Sequence, residues 1–236
     1  MYPNSSLKPS YTMHASNQIT LHFDNGKDQL LDGDDIVGRV LNGRVTLSLV
    51  GHVISYDTVI NAKSREFLTL GAQSHHTTVN SNGQQLVEAG ALAEGTVINQ
   101  GGLQDLEYSE AKSQNTIINN GGVELVKFDG IAKDTTINDG GYLNVQNGQA
   151  YNITFGNNSH SAKVRVVHFD DLIGNISNWQ AGDSIHIDKG ASVIGDHSHI
   201  TLNGSTTLTL SDLQAGMKVV GVASSQGGTD LVLAPI

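Results

Sequence analysis

Between Thr58 and about Ile153, apolar and polar positions recur along the chain at nearly constant spacing. The recurring phrase is Thr, then an apolar residue or Thr, then an apolar residue, then Asn. It opens at Thr58, Thr77, Thr96, Thr116 and Thr135, a period of about 19 residues. Aligned on this phrase, two columns are wholly apolar: Ile60, Val79, Ile98, Ile118 and Ile137, and further along each copy Leu68, Val87, Leu106, Val126 and Val145. These columns are the expected core. A third column is wholly Asn, at Asn61, Asn80, Asn99, Asn119 and Asn138, each followed by Gly-Gly or a degenerate equivalent such as Asn82-Gly83 or Lys63-Ser64. Asn and Gly both tolerate left-handed backbone, so a tight turn is expected at the same place in every copy.

Between the turns lie short runs rich in Val, Ile, Thr and Leu, which have strand length and strand composition. A period near twenty with short strands predicts coils stacked into a solenoid, whose apolar face is buried only by the neighbouring coil. The fold class is therefore all-β: a single-stranded parallel β-helix with coils of about 19 residues and irregular capping ends. Stacking at about 4.8 Å would turn the Asn and Thr columns into ladders. Each Asn is expected to bond its own turn and the Asn of the next coil. The Thr hydroxyls are expected to bond along the stack.

The pattern divides the chain into three parts. Residues 1–38 read as a polar leader, Met1 to Asn17, followed by an N-terminal cap containing the alternating run Ile19 to Phe23. Residues 39–154 form the repeat core, with Val40-Leu41-Asn42-Gly43 as a degenerate extra copy. Residues 155–236 keep strand-like pairs such as Val164/Val166 and Ile185/Ile187 but lose the period, so further irregular coils and a C-terminal cap are expected there.

Composition narrows the function. Lys and Arg number 13 against 23 Asp and Glu, a formal charge of −10, with no basic run. Nucleic acid is thereby excluded as a partner, because phosphate neutralisation needs clustered cations. There is no Cys, which removes disulfides, thiolate metal sites and a Cys nucleophile. No apolar stretch is long enough for a transmembrane helix. Met1 to Thr20 has no apolar core of a signal peptide, so no export signal or anchor is visible, and the chain is expected either to be a piece of something larger or to be exported by a route that needs no such peptide.

The candidate chemistry is sparse. His75-His76 and His197-Ser-His199 lack a third and fourth partner for a metal, and are expected at coil turns. Asp170-Asp171 are adjacent, so a turn or edge is expected rather than two acids facing each other across a glycosidic bond. Asp32 to Gly38 is an acidic turn without the paired glycines of a calcium-binding nonapeptide. An ice-binding array would need Thr-x-Thr rows, whereas the next column is mixed: Val59, Thr78, Val97, Ile117 and Thr136. No catalytic residue, metal or cofactor is predicted, and the binding residues stay undefined.

The copies Thr96-Val-Ile-Asn-Gln-Gly-Gly102, Thr116-Ile-Ile-Asn-Asn-Gly-Gly122 and Thr136-Ile-Asn-Asp-Gly-Gly141 resemble the 19-residue repeats of AIDA-type self-associating autotransporter adhesins. The resemblance covers residues 58–153. It implies a right-handed parallel β-helix displayed extracellularly or at the bacterial cell surface, non-catalytic, with other copies of itself or cell-surface glycans and proteins as partners. Two other readings of a β-helix stay open at this level: a polysaccharide-binding or polysaccharide-processing protein, and a structural spacer.

Overall fold

The computed structural model describes residues 17–236, apart from residues 32, 34 and 158. The leader expected from Met1 to Asn17 thus lies, except for Asn17, outside the described residues, as do Asp32 and Asp34 of the acidic turn.

Each coil carries three strands, and the fold is a parallel β-solenoid. A long face stacks Thr46–Val50, Arg65–Thr69, Gln84–Val87, Leu103–Leu106, Val123–Lys127, Tyr142–Gln146, Lys163–Val166 and Ser184–Ile187 in parallel register. A second face stacks Asp35–Val37, Ile54–Tyr56, Gln73–His75, Leu92–Glu94 and Lys112–Gln114 onto the first part of Ile131–Ile137. The third face is narrow, with Val40–Leu41, Val59–Ile60, Thr78–Val79, Val97–Ile98 and Ile117–Ile118. Partners in adjacent repeat coils stand one sequence period apart, as Gln84 on Arg65 and Val123 on Leu103 show.

Sequence period becomes packing through strand alternation. The two apolar columns are fully buried: Ile60, Val79, Ile98, Ile118 and Ile137 on the narrow face, and Leu68, Val87, Leu106, Val126 and Val145 on the long face. On the second face small residues point inward, Ala72, Ala91, Ala93 and Ala111 among them. Between the second and narrow faces, the backbone is left-handed at Asp57, His76, Gly95, Asn115, Asp134 and Asn152. That shared corner is why the neighbours of each face repeat in phase.

The Gly-Gly turn uses its two residues differently. The first position has positive φ and accepts Lys63 and Asn82 as well as Gly101, Gly121 and Gly140. The second, Ser64 in the first copy, has no room in the four later ones: a Cβ at Gly83, Gly102, Gly122 or Gly141 would stand 2.4 to 2.6 Å from a carbonyl oxygen of the coil before.

The interior is not wholly apolar. Counting back two positions from the long-face core column, alternation points Glu66, Gln85, Gln104 and Glu124 inward, and all four are fully buried. The Thr column turns inward to meet them. Thr77 donates to Glu66, Thr96 to Gln85, Thr116 to Gln104 and Thr135 to Glu124, at 3.0 to 3.1 Å. These hydroxyls therefore bond across the coil and not, as expected from sequence, along the stack. Gln85 Nε2 donates to Glu66 at 2.8 Å and Gln104 Nε2 to Gln85 at 2.7 Å, with Ser55 and Ser74 completing the partners of Glu66. Where the column ends, the pairing ends. Leu47 precedes Glu66 in it, and Thr58, which has no buried carboxylate or amide to meet, leaves its hydroxyl unpaired. Leu143 follows Glu124, and the Thr column gives way to Ile153.

The ends change strand direction. Gln18–His22 lies antiparallel on Thr46–Val50 and pairs with Asp28–Leu31. At the far end Thr229–Pro235 lies antiparallel on Ser184–Ile187 and pairs with Met217–Ala223. Beyond Phe155 the coils lengthen: Val164 stacks on Leu143 and Ile185 on Val164, each a longer step along the chain than that of Leu143 on Glu124. Buried Trp179 fills one enlarged coil beside Phe155, its ring 5.3 Å away and its Nε1 donating to the Asp183 carbonyl.

Two outcomes follow from this packing. Gly122→Ala should cost about 1–3 kcal/mol, whereas Gly121→Asn should be nearly neutral because Asn82 already occupies the equivalent place. Thermal unfolding of the two variants compares them, and equal losses would contradict the steric distinction between the two positions. The second outcome concerns Glu124, whose carboxyl is pushed up to about 7 by burial, against the opposing hydroxyls of Ser113, Thr135 and Thr116. The folded chain then holds this proton more tightly than the unfolded chain. Ionisation weakens the fold progressively as pH rises from about 4.5 to about 7, and by its full amount above that. Glu124→Gln should raise Tm by several degrees at pH 8, on the order of 3 kcal/mol, and the gain should vanish below the ordinary carboxylate range. A gain independent of pH would contradict this.

Candidate functional site

The Asn column forms a continuous ladder on the outside of the turn. Asn61 Nδ2 donates to Asn42 Oδ1, Asn80 to Asn61, Asn99 to Asn80, Asn119 to Asn99 and Asn138 to Asn119, at 2.7 to 2.9 Å. The turns are closed by a backbone atom instead of the amide. The Asn80, Asn99, Asn119 and Asn138 carbonyls each accept the N–H of the second glycine at 2.8 Å. The ladder stops at Gly156, because a Cβ there would collide with Asn138 Oδ1. Thr58, Thr77, Thr96, Thr116 and Thr135 are buried, so no outward Thr array exists on this column.

The outward positions of the long face carry a different set of residues. Alternation around the buried columns exposes Phe67, Leu86, Asp105 and Leu125 in one outward row, with Leu103 and Val123 beside it. The apolar members are all half-buried. Asp105 sits among them only 9% exposed. Lys127 reaches back across the coils to bond both Asp105 and Glu107 at 2.8 Å. Burial nevertheless holds the Asp105 carboxyl above its ordinary range, against the pull of Lys127. Its second oxygen, Oδ1, has no hydrogen-bond partner. At the adjoining corner Tyr108 and Phe128 stack with centroids 6.0 Å apart, 50% and 54% exposed, and Leu70 lies on the same corner two coils earlier, 41% exposed. The result is an apolar stripe running along the long face onto one edge.

No protein-family model matches the chain, and no curated protein matches it in sequence. Among solved structures, a TibC-catalysed, hyper-glycosylated fragment of TibA matches with a TM-score of 0.57 at 23% identity. The two share a fold. The match covers 65% of this chain and 55% of that fragment, so it spans only about half of the solved fragment's length. The TibA fragment thus supports the β-helix implied by the repeat phrase.

The remaining sequence candidates fall apart from one another. His75 stacks on Tyr56, centroids 5.2 Å apart, with its Nδ1 3.1 Å from Glu94, while His76 stands exposed at the left-handed corner near Asp57. His199 bonds Ser198 beside Asp196. Asp170 and Asp171 lie in a single turn of 3-10 helix, Phe169–Asp171. The sequence offered no three-ligand group. Among the described residues His168, Asp170 and Asp171 do bring ligand atoms within 4.8 Å of one another. The Asp171 carboxylate is already engaged by the His168 backbone N–H at 2.9 Å. Sequence reasoning also missed the Glu66 to Glu124 column and the apolar stripe, although period-two counting from Leu68 or Val87 places both.

Replacing Asn99, Asn119 and Asn138 together by Leu should destabilise more than the sum of the three single changes, since each rung polarises the next. Urea unfolding of the singles and the triple measures this, and strict additivity would argue against cooperation in the ladder.

Proposed function

We propose that the chain is a non-catalytic adhesion module, displayed outside the bacterial cell, that associates with further copies of itself through the outer side of the long face. The observation that carries this is the stripe of Phe67, Leu86, Leu103, Val123 and Leu125 continuing onto Tyr108 and Phe128. An exposed apolar strip, interrupted here by the Asp105–Lys127 pair, marks an interaction site, and aromatic residues at its exposed end are the type enriched at such sites. A flat face also lets two solenoids lie side by side about a two-fold axis, each stripe meeting its twin. The fold shared with the TibA fragment is of the kind that the repeat resemblance to self-associating adhesins implies. The near-uniform spacing of copies from Thr58 to Ile153 leaves no inserted loops to wall a catalytic cleft in the repeat region.

The charge of −10 sets the conditions. Copies repel at low salt, and that repulsion is screened over about 8 Å near physiological ionic strength. Sedimentation should therefore show association increasing from low to moderate salt. It should be abolished in the double variant Leu86→Glu, Leu125→Glu, which changes only outward positions and should keep its circular dichroism. A strict monomer under every condition would favour a spacer, and association that weakens with salt would point to paired charges instead.

A further inference from the structure

Toward the C-terminal end of the long face the outward residues change character and a cleft of about 510 Å³ opens. Its floor is a patch of side chains in register: Tyr142 beside Lys163 beside Ser184 in one row, and Arg165 beside His186 in the next. Ser161 and the Gly140-Gly141 turn form one wall. Gln226, in the turn of the terminal hairpin, forms part of the other. The volume is within the range of small-ligand sites, roughly 300–1,000 Å³.

The distribution of charge is what identifies a ligand. In a chain with 23 acidic residues against 13 Lys and Arg, Lys163, Arg165 and His186 line this cleft and no Asp or Glu does. The acids beside the lining, Asp188 and Asp230 on the same outward face and Asp139 near Ser161, pair with it. Asp188 takes the Arg165 fork at 2.8 and 3.0 Å and the His186 Nε2 at 3.1 Å, Asp230 holds His186 Nδ1 at 2.6 Å, and Asp139 accepts from the Ser161 hydroxyl. A guanidinium has five donors, so Arg165 keeps some after its two bonds to Asp188. Lys163 is exposed, and among the described residues it makes no ion pair. Its ammonium is the uncommitted positive charge of the site. Tyr142, half-buried, adds an aromatic ring at the edge of this charge.

We propose that this cleft binds a saccharide bearing a carboxylate, a uronic or sialic acid residue. The ring of Tyr142 would take the apolar C–H side of a pyranose. Lys163 and the free donors of Arg165 would take the carboxylate, and Ser161, Ser184 and Gln226 would bond ring hydroxyls. A simple anion would use the cations without the ring, and a neutral sugar would use the ring without the cations. The combination selects an acidic sugar. The site adjoins the apolar stripe at Tyr142, which stacks on Val123, but its cations lie one coil beyond, so Lys163→Glu tests it separately from self-association.

Titration calorimetry of the full chain with trigalacturonate, sialyllactose, lactose and inorganic phosphate tests this. At least one of the two acidic saccharides should bind at millimolar concentration or below, with lactose and phosphate at least tenfold weaker, a difference of about 1.4 kcal/mol. Lys163→Glu and Tyr142→Ala should each reduce that binding about tenfold or more. Lys112→Glu, the same charge change on the exposed second face, should leave it unchanged. The proposal is overturned if neither acidic saccharide binds, if lactose or phosphate binds as well, or if Lys163→Glu has no more effect than Lys112→Glu. Sedimentation of the Lys163→Glu variant should match the unaltered chain. Sugar binding without self-association would leave this site standing and remove only the association reading.

Discussion

In a parallel solenoid every side chain rests on its own counterpart in the next coil, and this like-on-like rule governs the rest of the structure. Apolar columns satisfy it trivially. Polar columns satisfy it only if the repeated group both donates and accepts, which side-chain amides do and carboxylates do not. That is why the outer ladder is Asn throughout and the buried column has Gln85 and Gln104 in its middle. Glu66 and Glu124 occupy its two ends, where each finds hydroxyl donors from Ser or Thr and neither meets another carboxylate. Buried polar groups of this kind are tolerated because their hydrogen-bond demand is met almost completely.

The same rule explains how much of the molecule was legible in the sequence. Identical residues at a near-constant step had to be stacked, so the coil, the core columns and the Asn rungs could be read directly. The direction of the Thr hydroxyls could not, because residue type assigns Glu and Gln to the surface. Counting alternation from Val87 puts Gln85 inside and Leu86 outside, the reverse of what their polarity implies. The His168 group and the cleft above Lys163 and Arg165 were not readable, since both lie where coil length varies and an alignment of copies has nothing to align.

Function follows from the outward half of the same lattice. Regular coils repeat outward residues in rows a few ångströms apart. A few apolar choices in adjacent coils become a stripe, as at Phe67 on Leu86 and Leu103 on Val123. A few basic choices become a patch, as at Lys163, Arg165 and His186. The cleft over Lys163 and Arg165 lies where the period breaks, and the terminal hairpin supplies a wall that a uniform stack lacks.

The antiparallel strands on the long face have a bearing on what shape an assembly takes. Gln18–His22 occupies the open backbone edge at one end and Thr229–Pro235 the edge at the other. An uncovered edge would recruit another chain as the next rung and grow a fibre without limit. Each antiparallel strand ends the parallel stack and is followed by only one short hairpin strand, Asp28–Leu31 or Met217–Ala223. A further parallel coil therefore has no matching rung to continue, which favours broadside bundles over end-to-end filaments.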